Sequence, residues 1–89
     1  MAKIVENNKG FKVIEVPRIE IVDKLVKYGS VGVCDQCNGS DTNGYYIAVL
    51  NRWYCPKCYQ EWLQRAKRYP EDISFEERHF ELYRKIFGV

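Results

Sequence analysis

Apolar positions along this 89-residue chain change period several times, and each change marks an element. The run Phe11, Lys12, Val13, Ile14, Glu15, Val16 is rich in β-branched residues and predicts a strand over 11–16, ended by Pro17. Over 18–28, Ile19, Val22, Leu25 and Val26 recur at helical spacing with Gly29 as the stop, although Ile19 and Ile21 also fit strand alternation. Residues 45–50 and 52–54 read as two short strands folded about Asn51, a residue that tolerates left-handed turn geometry. Both faces of that hairpin are apolar, Tyr45, Ile47 and Val49 on one side and Tyr46, Ala48 and Leu50 on the other. The second face therefore needs a cover: the N-terminal segment, the last helix or another molecule.

Pro56 suits the first turn of a helix, where its missing amide would be unpaired anyway. The helix it opens, over 56–69, has Tyr59, Trp62, Leu63, Ala66 and Tyr69 on one face, and Pro70 stops it. A last helix over 74–87 starts at Ser74, whose Ser-Phe-Glu-Glu sequence reads as a capping box with Glu77. Its apolar face is Phe75, Phe80, Leu82, Tyr83, Ile86 and Phe87. The first ten residues are polar and predict a flexible lead-in. Residues 38–44 are dense in turn formers. The pattern is that of one small α+β domain.

At this length a hydrophobic core alone is marginal, and a metal, disulfides or a partner commonly complete it. The chain has four cysteines, Cys34 and Cys37 in one Cys-x-x-Cys pair and Cys55 and Cys58 in another, with seventeen residues between the pairs. Two residues between cysteines let both sulfurs of a pair reach one ion from a single tight turn. Two such pairs supply four soft ligands in a closed tetrahedron, which points to one structural Zn2+ ahead of iron. No signal-like apolar run and no membrane-length stretch is present, so the reading is a cytoplasmic chain with reduced thiols. Four bound thiolates and one zinc ion together add two negative charges, which brings the formal +2 to about zero and removes any overall field for nucleic acid.

The order knuckle, hairpin, then a second cysteine pair at a helix start resembles the treble-clef zinc fingers. The seventeen-residue gap is similar to that of GATA-type fingers and of the DksA/TraR family of bacterial polymerase regulators. The resemblance covers residues 34–69 and implies a treble-clef fold with zinc held by Cys34, Cys37, Cys55 and Cys58. It does not carry over a DNA sequence or a polymerase site. GATA fingers follow the last cysteine with glycine and basic residues, whereas Cys58 precedes Tyr59, Gln60 and Glu61. DksA-type proteins need a long coiled coil ahead of the finger, which 33 residues broken by Pro17 and Gly29 do not supply.

Function then reads as recognition rather than catalysis, with no small-molecule substrate. A protein-interaction adaptor, with self-association as its simplest form, would use the two-faced hairpin and the apolar last helix. The alternative is a DNA- or RNA-binding finger, with Arg52, Lys57, Arg65, Lys67 and Arg68 on phosphates and the aromatic cluster Tyr45, Tyr46, Trp53, Tyr54, Tyr59, Trp62 and Tyr69 stacking on bases. The same cations also suit a solvated helix end beside a negative zinc–thiolate centre. A thiol redox role for Cys55-Pro-Lys-Cys58 lacks the parallel βαβ setting of such sites. His79, the only histidine, has no free nucleophile beside it and reads as a boundary residue on the last helix.

Overall fold

Val13, Ile14 and Val16 are all fully buried. Successive strand residues point to opposite faces, so this strand requires apolar cover on both sides. The computed structural model describes residues 2–25, 33–39 and 41–89. Among them, four antiparallel strands lie in chain order: β1 (Lys3–Val5), β2 (Val13–Pro17), β3 (Asn43–Ile47) and β4 (Arg52–Tyr54). Three helices accompany them, α1 (Arg18–Leu25), α2 (Pro56–Arg65) and α3 (Ile73–Phe87), which makes the chain an α+β domain. No described helix is long and apolar enough to cross a membrane.

Register sorts the core into two layers. Val13 pairs with Ile47, while Ile14 pairs with Tyr46, which in turn pairs with Trp53. Val13, Ile47 and Tyr54 therefore share one face and pack with Phe11, with Tyr59 and Trp62 of α2, and with Cys34, Cys55 and Cys58. Ile14, Val16, Tyr46 and Trp53 share the other and pack with Ile21 of α1 and with Phe80 and Phe87 of α3. The cover required by the two-faced hairpin is thus the last helix, assisted by α1. Each fully buried Val or Ile contributes about 1.5–3 kcal/mol on this basis.

The structure differs from the sequence expectations at several places. Residues 1–10 were expected to be loose, but Lys3, Ile4 and Val5 pair with Glu15, Ile14 and Val13 as an edge strand. The turn behind it is set by Asn7, whose Oδ1 accepts from the Lys9 and Phe11 amides, both at 3.1 Å. The strand expected over 45–50 ends at Ile47, because Ala48 to Asn51 form a turn with Asn51 at φ 55°. Of the helix expected over 18–28, Arg18–Leu25 is α1, and residues 26–28 with the Gly29 stop lie outside the described residues.

The helix expected over 56–69 ends at Arg65, and Tyr69 is exposed rather than part of its core face. Lys9 ends it from across the domain: its Nζ donates to the Gln64 and Ala66 carbonyls at 3.2 and 2.8 Å, placing a cation at the negative end of the helix. The capping box at Ser74 and Glu77 does not form. A 3-10 turn over Pro70–Asp72 leads into α3, whose Asp72 N-cap makes no side-chain bond. The neighbouring acid turns inward instead. Glu76, 1% exposed, accepts from Arg68 at 2.9 Å and from the Lys12 amide at 2.9 Å.

Gly44 fixes how closely β3 approaches β4. A Cβ there would lie 2.5 Å from the Trp53 ring and 2.6 Å from the Tyr54 carbonyl oxygen. Trp53 cannot yield, because its Nε1 donates to the Val16 carbonyl at 3.1 Å. Gly44→Ala is expected to lower the unfolding free energy of zinc-loaded protein by about 1–3 kcal/mol through overpacking. Urea denaturation checks this, and an unchanged midpoint would contradict it.

Candidate metal centre

Residues 34–38 close into a turn in which the Asn38 amide donates to the Cys34 carbonyl at 2.9 Å. The Cys34 amide donates to the Gly39 carbonyl at 2.8 Å, and Asn38 takes φ 62°, a conformation Asn tolerates better than most residues. This knuckle is docked on β4 through Asp35. Its amide donates to the Trp53 carbonyl at 2.9 Å, and its Oδ2 accepts from the Trp53 amide at 3.0 Å. The same strand ends at Tyr54 and delivers Cys55 as the N-cap of α2, with Pro56 at the first position and Cys58 in the first turn. Both thiols of the second pair therefore sit at the positive end of the helix, which favours thiolates.

The four sulfurs lie within 4.8 Å of one another. Cys37 and Cys55 Sγ are 3.8 Å apart, well beyond the roughly 2.05 Å of a disulfide. A tetrahedron with metal–sulfur bonds near 2.3 Å has edges of about 3.8 Å, so the arrangement fits one tetrahedral ion. The donor set, four thiols with no carboxylate or imidazole, suits zinc. Cys34, Cys55 and Cys58 are buried in one cluster with Tyr54, Tyr59 and Trp62, and Cys37 is exposed. Among the described residues this is the one group of three or more potential ligands placed to hold a metal.

Charge at the site is set by burial and by amides. Burial opposes ionisation of Cys34, yet surrounding backbone donors outweigh it and bring its pKa down to about 7. The Gln36 amide is one of them, 3.4 Å from Sγ. Burial pushes the Cys55 and Cys58 thiols up. A divalent cation supplies the charge that lets such thiols ionise, so metal binding expels their protons.

The other sequence candidates differ in what surrounds them. Arg68 stays at the surface but is tied to the domain: its guanidinium spans Glu76 and the Gly10 carbonyl and lies over the Phe11 ring, 5.0 Å from its centroid. Arg52, Lys57, Arg65 and Lys67 are exposed. Of the seven clustered aromatics, Tyr46, Trp53, Tyr54, Tyr59 and Trp62 are buried. Tyr45 is half-buried and stacked on Tyr59 at 4.3 Å, which leaves Tyr69 as the exposed member of the cluster. His79 points back to its own helix, with Nδ1 2.9 Å from the Phe75 carbonyl oxygen. Asp35, Lys9 and the Glu76–Arg68 pair escaped sequence reasoning, because a carboxylate or ammonium bound across the fold carries no local pattern.

Fold and site together define a small α+β domain with a four-thiolate cluster between its hairpin and a helix. Comparisons with known proteins return no match to a family model, a curated protein or a solved structure.

The uneven burial predicts an order of reaction. With zinc-loaded protein and a limiting alkylating agent, the first adduct should fall on Cys37, with zinc released as it forms. Peptide mass mapping alongside a chromophoric zinc chelator checks this, and a first adduct on Cys34, Cys55 or Cys58 would contradict it.

Proposed function

We propose that this chain is a treble-clef-type zinc domain that acts by contacting another protein and performs no catalysis. The observation that carries the reading is the closed cluster of Cys34, Cys37, Cys55 and Cys58, whose spacing suits one tetrahedral ion with every position taken by protein. Knuckle, β3–β4 hairpin and a helix opening at the second pair follow one another in treble-clef order. A zinc ion held there would be structural, contributing folding energy rather than activating water or substrate.

Two facts favour a protein partner over nucleic acid. The charge of the zinc-loaded domain is about zero, Arg68 is bound to Glu76, and most of the aromatics are buried. Exposed apolar side chains gather on helices, with Ile19 and Val22 on α1 and Ile73, Phe75 and Leu82 on α3.

Titration of labelled single- and double-stranded DNA and RNA with zinc-loaded protein at two salt concentrations separates the readings. The expected result is no salt-sensitive binding at micromolar protein. Tight binding that weakens steeply with salt and disappears on Arg65→Glu with Lys67→Glu would overturn the protein-contact reading in favour of a phosphate-contacting face.

A further inference from the structure

Helix α3 has two apolar stripes, and the domain covers one of them. Phe80 and Phe87 are buried toward the sheet, together with Glu76 and half-buried Tyr83, whose ring lies 4.1 Å from that of Tyr46. Phe75, His79, Leu82 and Ile86 follow one another at intervals of four, three and four residues. That is the spacing of a seam made for a second helix. Phe75 is 37% and Leu82 47% exposed, while His79 is half-buried and Ile86, also half-buried, packs with one side on the core and closes the end of the seam. The polar member of the seam is turned onto its own helix, the His79 ring lying 4.2 Å from that of Phe75. At 1.5 Å per residue the seam is about 16 Å long, three helical turns.

Its borders are unequal. At 100° per residue, Glu76 and Tyr83 flank the side that runs into the core, and Arg78 and Lys85 flank the open side. Arg78 and Lys85 are exposed, with no ion-pair partner among the described residues. Glu77 and Glu81 lie farther round the helix, and Glu81 is bound to Arg84 at 3.1 Å. The open border is therefore basic alone.

We propose that this seam docks an amphipathic helix of another protein, one whose apolar stripe is bordered by Asp or Glu. The proposal rests on the protein-contact reading and assigns its surface. Charge complementarity selects the occupant. Two copies of α3 paired antiparallel would set Arg78 of each against Lys85 of the other. Paired parallel, the basic border would meet the core-side edge, where Glu76 is already held by Arg68. An acidic border instead gives Arg78 and Lys85 two partners, which adds specificity and speeds encounter.

The test uses two synthetic helical peptides with the same leucine seam, one bordered by Glu and one by Lys, and fluorescence anisotropy against zinc-loaded protein. The Glu-bordered peptide should bind more tightly by about tenfold or more, less so at high salt. Arg78→Glu with Lys85→Glu should reverse the order. Leu82→Asp should weaken binding by about tenfold or more, with zinc content and melting unchanged because Leu82 lies outside the core. Equal binding of the two peptides, binding of neither, or full binding by Leu82→Asp would overturn the proposal. So would a dimer in sedimentation equilibrium that Leu82→Asp dissolves, since the seam would then belong to a second copy. A nuclease-resistant protein partner retained by Leu82→Asp would remove this seam and leave the protein-contact reading standing.

Discussion

Four sulfurs within 4.8 Å of one another bring together three pieces of chain, each too short to be stable alone. The knuckle over 34–38 has no regular structure of its own, β4 is three residues long, and α2 has ten. An isolated helix of that length is marginal in water, and a three-residue strand is no better placed. A shared ion would make the three pieces one unit, and structural zinc sites supply apparent binding free energies of about 10–16 kcal/mol. Asp35 on the Trp53 backbone sets the knuckle against the hairpin, so the sulfurs converge from elements already aligned.

The sheet extends that unit into a domain. With apolar residues on both faces, it takes α2 and the cysteines on one side and α1 with α3 on the other. Two polar contacts tie the layers at the same corner. Lys9, beyond β1, caps the end of α2, and Arg68 reaches back from that end to Glu76 on α3. Glu76 is the buried member of that pair, so removing Arg68 would leave a buried carboxylate without compensation, whereas Arg68 itself reaches solvent. The turn after β1, the exit of α2 and the start of α3 are thereby coupled through a few side chains.

Elements whose signal is local were legible in the sequence. Pro56 marks a helix entry, the β-branched run over 11–16 marks a strand that ends at Pro17, and the cysteine spacing marks the metal cluster. Elements that depend on distant partners were not. Lys3-Ile-Val looks like part of a polar lead-in until β2 is there to pair with it, and the end of α2 at Arg65 is where Lys9 binds the Gln64 and Ala66 carbonyls. Glu77 has the capping-box position, yet Glu76 is the acid that turns inward, because Arg68 and the Lys12 amide reach it. The aromatic cluster shows the same limit: hydrophobic content was evident, but burial of Tyr46, Trp53 and Tyr54 followed only from the strand register.

The dependence of the fold on the four-thiolate cluster is tested most directly by amide hydrogen exchange before and after removal of zinc with a chelator, with native mass spectrometry giving the metal content. A zinc staple predicts one bound ion, and loss of protection across the knuckle, β3–β4 and α2 when it leaves. A chain that carries no metal as purified, or that keeps its protection in those elements without zinc, would contradict it.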